Sequence, residues 1–100
     1  MDVSIVVTTF NYARYIDECL DSCLSQQGMT LEYEVIVVDD GSTDETPTLL
    51  ERRCDPRLRV FRIENSGIEL ASNHGFEAAR GRYIVRVDAD DALLPDYLAS

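Results

Sequence analysis

The chain contains four short runs in which β-branched and aromatic residues dominate. The first, Val3–Thr8, is almost continuously β-branched, a pattern typical of a strand that is covered on both faces. Three later runs have the same character but include polar residues: Glu34–Val38, Leu58–Ile63 and Tyr83–Val87. These patterns predict four β-strands.

Helical periodicity occupies the segments between these runs. In the first segment, apolar residues repeat at intervals of three and four and predict a helix from about Tyr12 to Gln26. The next segment predicts a helix with Thr43 as its N-cap, acidic residues in its first turn and Pro47 near its start. A third helix is predicted around Ala71–Ala79, with Gly81 placed to end it.

The predicted order is therefore βαβαβαβ over residues 1–100, which we interpret as one domain. This order favours an α/β fold with a Rossmann-like, mainly parallel sheet, helices on both faces and right-handed crossovers. A chain of this length buries roughly 65% of its extended surface, which is enough for one small core. Ligands of such sheets bind beyond the carboxyl ends of the strands.

Polar and acidic residues follow three of the four predicted strands, in the segments Thr9–Asn11, Asp39–Ser42 and Asp88–Asp91. Carboxylates that converge on one edge repel one another by about 4 kcal/mol per close pair at an intermediate dielectric. A divalent cation would offset this repulsion, and Asp88 and Asp90 can both turn toward one ion. Their hard oxygens favour Mn²⁺ or Mg²⁺, which would in turn attract a diphosphate.

The overall charge argues against nucleic acid as a partner. The formal net charge is −10, from 19 acidic and 9 basic residues, and all the basic residues are arginines. Such a chain repels a polyphosphate backbone. The longest uninterrupted apolar stretch, Val35–Val38, is far shorter than the ~20 residues that a membrane helix needs.

The three cysteines are an odd number. Cys19 and Cys23 lie four residues apart beside leucines, which predicts buried core thiols, with metal binding or redox activity as the alternative. The N-terminus has no signal-peptide pattern, so a reducing, cytoplasmic location is expected.

The chain lacks residues that four other classes of protein require. A dinucleotide-binding dehydrogenase needs glycines in the first βα turn, and Thr9–Ala13 contains none; a P-loop NTPase needs a lysine, and the chain has none. A phosphate-accepting receiver domain has an acidic pair after its first strand and a lysine near its last strand, and this chain has neither. A calcium loop starting at Asp88 would need glycine at its sixth position and an acidic residue at its twelfth, but these positions are Leu93 and Ala99.

Four segments, weak singly but together covering nearly the whole chain, carry a family resemblance: SIVVTTFN (Ser4–Asn11), VIVVDDGSTDET (Val35–Thr46), NSGIELASNHG (Asn65–Gly75) and GRYIVRVDADD (Gly81–Asp91). In this order and spacing they resemble the glycosyltransferases of family 2, which have the GT-A fold. The resemblance implies the donor-binding half of an enzyme that transfers a sugar from a nucleoside-diphosphate sugar, a UDP-sugar, to an acceptor hydroxyl with inversion.

The resemblance also implies roles for single residues in nucleotide binding. Thr8 and Phe10 are expected to line the base and ribose pocket, with the ring of Phe10 against the base, and Asn11 belongs to the same nucleotide-binding set. Asp40 is expected to accept the N3 hydrogen of uracil. Asp88 and Asp90 resemble the family's D-x-D pair, with Asp90 as the direct metal ligand and Asp88 reaching the ribose or a metal-bound water.

Two departures from the family pattern stand out. Ser72 occupies a position where the family often has arginine, so the predicted third helix contributes no cation there. The family's catalytic base and acceptor surface lie well downstream of D-x-D, so no catalytic residue is assigned within residues 1–100. The acceptor, the sugar and the product are not specified by these segments.

Each motif also has a structural interpretation. Asp39–Ser42 is compatible with an ordinary βα turn, and Asp88–Asp91 with a solvated turn before Pro95. Thr8 and Asn11 are equally compatible with capping the first helix, and Phe10 with packing. A non-catalytic nucleotide-sugar-binding or scaffolding module is the alternative function. A homo-oligomer is also expected, because the last predicted strand and the apolar residues around Leu94 and Leu98 lack cover.

Overall fold

The computed structural model describes residues 1–26 and 32–89. Within these ranges four strands alternate with three helices, which confirms the predicted order. The elements are β1 (Val3–Thr9), α1 (Ala13–Leu24), β2 (Tyr33–Asp39), α2 (Thr46–Glu51), β3 (Leu58–Arg62), α3 (Ile68–Ala78) and β4 (Tyr83–Asp88). The strands coincide with the β-branched and aromatic runs because such side chains pack well on a pleated, buried surface.

The four strands form one sheet in the order β3-β2-β1-β4, and all neighbouring strands are parallel. The chain winds outward from β1 to β3 and then returns past β1 to form β4. The winding direction therefore reverses between β1 and β4. In open α/β sheets this switch point is where a ligand crevice forms.

Helices cover both faces of the sheet, as predicted. On one face, α1 and α2 pack against a core that includes Ile5 and Val7 of β1. On the other face, α3 packs against Val6, Ile36 and Val38. The division follows from the alternation of side chains along each strand. The predicted core thiols of α1, Cys19 and Cys23, are buried in the first core.

Helix α3 lies close against the sheet because residue 75 is glycine. A Cβ atom at this position would overlap Val6 and would lie 3.2 Å from Cγ2 of Val38. The close approach brings the N-terminus of α3 to the carboxyl ends of β1 and β2. None of the helices within the two described ranges has the length and apolar character needed to cross a membrane.

Two predicted helix ends were wrong, whereas helix α1, Ala13–Leu24, agrees with its predicted range of about Tyr12 to Gln26. Helix α2 begins at Thr46, with Glu45 at the N-cap position, so Thr43 does not cap it. The Thr46 N–H is accepted by Oδ1 of Asp44 at 2.9 Å. Helix α3 ends at Ala78, before Gly81, whose missing side chain allows contact with β1: a Cβ there would lie 2.6 Å from the Ser4 nitrogen.

Candidate functional site

A cavity of about 350 Å³ opens at the switch point, beyond the carboxyl ends of β1 and β4 and beside the N-terminus of α3. Its described lining consists of Thr8, Thr9, Phe10, Tyr12, Asp40, Asn65, Gly67, Ile68, Ala71 and Asp88. The volume falls within the range of small-ligand pockets, which is roughly 300–1,000 Å³. The cavity therefore lies where the sheet topology predicts a ligand site.

Thr8 and Asp88 face the cavity from adjacent strands. They are paired in the β1–β4 register, so their side chains lie on the same face of the sheet. Thr8 is buried, and within the described residues its Oγ1 has no hydrogen-bond partner. A buried hydroxyl without a partner costs about 1–3 kcal/mol, which marks this atom as a point where a ligand's polar group would be stabilising.

Asp40 connects the end of β2 to the segment before α3. Its Oδ1 accepts the Ser66 N–H at 2.8 Å, and its Oδ2 accepts the Gly67 N–H at 3.1 Å. The Asp40 carbonyl also accepts the side-chain amide of Asn65 at 3.0 Å. Asp40 therefore holds in place the N-terminal end of α3, which forms one wall of the cavity.

The neighbouring Gly41 permits this arrangement. Its φ is 75°, in the left-handed region that favours glycine. A Cβ at Gly41 would also lie 2.7 Å from the backbone nitrogen of Asn65. The turn after β2 can thus approach the segment before α3 only because this residue has no side chain.

Apolar side chains form the outer rim of the cavity. Phe10 is 42% exposed at the end of β1, and Tyr12 and Ile68 are also exposed. Exposed aromatic and branched side chains around a pocket are suited to contact a flat, apolar ring face. The rim can therefore receive a ring, while Asp40 and Thr8 present polar atoms deeper in the cavity.

Asn11 joins two loops. It adopts a φ of 57°, which asparagine tolerates better than most residues. Its N–H donates to Oγ of Ser42 at 2.9 Å, and its Oδ1 accepts the Thr43 N–H at 2.8 Å. Asp44, in the same loop as Thr43, accepts the Ala13 N–H at the start of α1 at 3.1 Å. These bonds hold the loops after β1 and β2 together beside the cavity.

Asp44 also serves the start of α2. Its Oδ1 accepts the Thr46 N–H at 2.9 Å. Burial tends to raise the pKa of Asp44, but hydrogen bonds from Thr46 and Ala13 outweigh burial and hold the pKa below its usual value. The ionised carboxylate therefore stabilises the N-terminal ends of both α1 and α2.

The described lining carries two carboxylates, Asp40 and Asp88, and no lysine or arginine. Asp88 forms an ion pair through Oδ1 with Arg86 at 3.3 Å, and within the described residues its Oδ2 makes no ion pair or hydrogen bond. No cluster of three or more potential metal ligands occurs in residues 1–26 and 32–89. The second predicted ligand, Asp90, lies outside these ranges. The described half of the site, a carboxylate with an available oxygen, fits a hard divalent cation.

Four of the predicted nucleotide-binding residues meet in this cavity: Thr8, Phe10, Asp40 and Asp88. Asn11 does not belong to the described lining, and its contact with a nucleotide stays a prediction. The sequence analysis did not identify the lining residues Asn65, Gly67 and Ile68. A signal for them existed, because they follow β3 as the other polar segments follow their strands.

The doubly wound sheet with an acidic cavity at its switch point defines a Rossmann-like α/β domain of the GT-A type. The family described as "Glycosyl transferase family 2" matches residues 4–100. The chain belongs to this family.

Curated relatives of the chain are considerably longer proteins. The chain is 45% identical over 98 residues to the succinoglycan biosynthesis protein ExoO of Rhizobium meliloti strain 1021, an alignment that covers 97% of the chain and 28% of ExoO. It is 41% identical over 96 residues to chondroitin synthase of Pasteurella multocida strain Pm70, which covers 94% of the chain and 10% of that enzyme. The chain thus spans less than a third of either relative.

Two solved structures resemble the chain over nearly its whole length. S. aureus TarS 1–349 in complex with UDP superposes with a TM-score of 0.89 and 35% identity, covering 99% of the chain and 30% of TarS 1–349. The mannosyltransferase PcManGT from Pyrobaculum calidifontis, in complex with GDP-Man and Mn²⁺, gives a TM-score of 0.83 and 36% identity, covering 95% and 29%. Both confirm the predicted fold class.

Proposed function

We propose that this chain is the donor-binding part of a longer parent protein that transfers a sugar from a nucleoside-diphosphate sugar to an acceptor hydroxyl with inversion. The observation that carries the proposal is the cavity at the switch point, where Thr8, Phe10, Asp40 and Asp88 converge in a chain of glycosyltransferase family 2. The solved structures of TarS 1–349 and PcManGT contain UDP and GDP-Man, respectively, which supports a nucleotide donor.

In this proposal the nucleobase lies against Phe10 at the cavity rim. Asp40 accepts the N3 hydrogen of uracil, which selects UDP-sugars, because each of its oxygens can accept a second hydrogen bond beside the existing one. The unpaired hydroxyl of Thr8 bonds the ribose or the base. These three residues bind and orient the donor but do not transfer protons.

Mn²⁺ or Mg²⁺ is proposed as the cofactor, held by Asp88 and Asp90. Asp88 has an available carboxylate oxygen at the cavity edge, and the PcManGT structure contains Mn²⁺. A bound divalent cation would stabilise the negative charge that develops on the departing diphosphate. The base that deprotonates the acceptor is expected downstream of residue 100.

The test is calorimetric titration of the parent protein with UDP in Mn²⁺ and in EDTA. We expect binding at least about tenfold weaker in EDTA, and we expect Asp88→Asn and Asp90→Ala to abolish this difference. Glu77→Gln is the matched control, because it removes one exposed negative charge from α3 outside the cavity lining. Equal affinity in Mn²⁺ and EDTA would contradict the metal role of Asp88 and Asp90.

Activity separates the proposal from its rival. A parent protein that binds UDP without metal dependence and releases no UDP from UDP-sugars in the presence of acceptors would support the non-catalytic binding or scaffolding module.

A further inference from the structure

The described cavity presents negative charge to a ligand that is itself negative. Its charged lining residues are Asp40 and Asp88. Helix α3, which forms one wall, contains no lysine or arginine, and Ser72 stands where the family often has arginine. A nucleoside diphosphate in this cavity therefore needs a cation from another element.

Arg86 of β4 is a cation that lies next to the described lining, because it forms an ion pair with the lining residue Asp88. It lies two residues before Asp88, so both side chains are on the same face of the strand. This is also the α3 face, because Arg86 pairs in register with Val6, which packs under α3. The Arg86 side chain reaches along the strand to Oδ1 of Asp88 at 3.3 Å.

Two arginines of the neighbouring strand β3 are held by partners outside the described lining. Arg59 bonds Glu34 and the Ala78 carbonyl, and Arg62 donates to the Ser42 carbonyl at 3.0 Å. Among the ion pairs of residues 1–26 and 32–89, the one that includes an acid of the cavity is the pair of Arg86 with Asp88.

The ion pair between Arg86 and Asp88 is weak enough for Arg86 to exchange Asp88 for another anion. It rests on one long contact, and the side chains of Arg86 and Asp88 are 44% and 46% exposed. Such surface pairs contribute little to stability, so breaking one costs little. A guanidinium group has five N–H donors in a plane that matches a phosphate, and its hydrogen bonds to phosphate are among the strong ones.

We propose that Arg86 binds the diphosphate of the nucleotide donor and gives up its contact with Asp88 when the donor enters. In the empty cavity the guanidinium neutralises Asp88. In the loaded cavity it supplies the positive charge that α3 lacks, and Asp88 is released for its own role. The inference rests on the proposed function, because it assumes a nucleoside diphosphate in this cavity.

The experiment compares Arg86→Met with the unmodified parent protein, in Mn²⁺ and in EDTA. The probes are UDP and GDP, each paired with its nucleoside, uridine or guanosine. We expect the diphosphate that binds to lose about tenfold in affinity, while the matching nucleoside is unaffected. Raising the salt concentration from about 0.05 to 0.5 M should weaken diphosphate binding less in Arg86→Met than in the unmodified protein.

Arg82→Met is the matched control. Arg82 is also exposed and adjoins β4, but it lies six residues from Asp88, which is about 20 Å along an extended strand and beyond the Debye length at physiological salt. We expect Arg82→Met to leave both affinities unchanged. If Arg86→Met does not fold, Arg86→Gln is judged by the same ratio of diphosphate to nucleoside affinity.

The outcomes separate this inference from the proposed function. If the ratio of diphosphate affinity to nucleoside affinity is the same in Arg86→Met as in Arg82→Met, the role of Arg86 is overturned and the proposed function remains intact. Failure of the unmodified protein to bind either diphosphate would overturn both.

Discussion

At the scale of a single residue, Asp40 has one role that the structure shows and a second that we propose. Its two carboxylate oxygens accept backbone N–H groups of Ser66 and Gly67, and in the proposed function one of them also accepts the base. The first role fixes the wall of the cavity, and the second reads the nucleotide. Because a carboxylate oxygen has two lone pairs, the roles are compatible.

The base-reading role of Asp40 predicts a preference for uridine over cytidine. Uracil presents a hydrogen at N3, whereas cytosine presents a lone pair that a carboxylate repels. We expect the parent protein to bind UDP at least about tenfold more tightly than CDP, and Asp40→Ala to remove the preference. Competition binding of UDP and CDP measures the ratio.

The ratio also separates the two roles. Loosening of the α3 wall in Asp40→Ala would weaken UDP and CDP alike and leave their ratio unchanged. An unmodified protein that binds UDP and CDP equally would show that Asp40 does not read the base.

At the scale of elements, one buried carboxylate joins β1, β2, β3 and the end of α3. Glu34 of β2 accepts the hydroxyl of Ser4 at 2.6 Å and the Arg80 N–H at 2.8 Å through Oε2, and the Arg59 guanidinium at 2.7 Å through Oε1. Arg59 in turn donates to the Ala78 carbonyl at the end of α3. The network anchors the end of α3 that is remote from the cavity.

The charge of Glu34 is stabilised in the folded protein. Burial tends to raise its pKa, but the hydrogen bonds from Ser4, Arg80 and Arg59 outweigh burial and lower the pKa below its usual value. A carboxyl group with a lowered pKa contributes stability above its unfolded pKa. That contribution is lost as the pH falls through the folded pKa.

We therefore expect Glu34→Gln to lower the free energy of unfolding by about 2 kcal/mol at neutral pH, because Arg59 and the Arg80 N–H lose a charged acceptor. The difference from the unmodified protein should shrink as the pH falls below about 4.3, the ordinary pKa of glutamate in an unfolded chain, toward the lowered pKa of Glu34. Urea denaturation across the pH range measures both quantities.

Glu18→Gln provides the matched control for this experiment. Glu18 is an exposed residue of α1, so the same chemical change should leave stability within about 0.5 kcal/mol at every pH. A Glu34→Gln deficit that stayed constant down to pH 3 would show that packing, and not the charge, accounts for the effect.

At the scale of the whole molecule, β3 and β4 are the two edge strands of the described sheet. Within residues 1–26 and 32–89, β4 pairs on one side with β1, and its residues Tyr83 and Ile84 are 70% and 45% exposed. The chain also covers only 28% of ExoO and 30% of TarS 1–349. A strand that has one unpaired edge and exposed apolar residues is a site for association with a further segment of chain or with a second copy.

We accordingly expect the 100 residues produced alone to transfer no sugar and to self-associate. Transfer needs a base and a bound acceptor, both of which the family resemblance places beyond residue 100. Light scattering measures the oligomeric state, and release of UDP from UDP-sugars measures activity. A monomer that turns over a UDP-sugar onto an acceptor would contradict both expectations, and the parent protein serves as the positive control.

The sequence by itself determined the order of elements and the faces of the sheet. Apolar periodicities of two and of three to four residues are local signals, and they decide which faces are buried independently of the loop conformations. For this reason Val6 and Val7 lie in opposite cores, and Cys19 and Cys23 are buried as predicted. The same logic explains why Asp40 and Asp88, which directly follow or end strands, meet at one edge.

The tertiary structure alone decided which polar groups became partners. Oδ1 of Asn11 accepts the Thr43 N–H across 32 positions of sequence, and Asp44, not the predicted Thr43, accepts an N–H at the start of α2. Gly81 allows the close approach to Ser4 and does not end α3. Asp40 was predicted for the base, but its bonds to the segment before α3 became visible only in the fold. Local periodicity records which face is buried, whereas hydrogen-bond partners depend on the register of strands and the approach of loops distant in sequence.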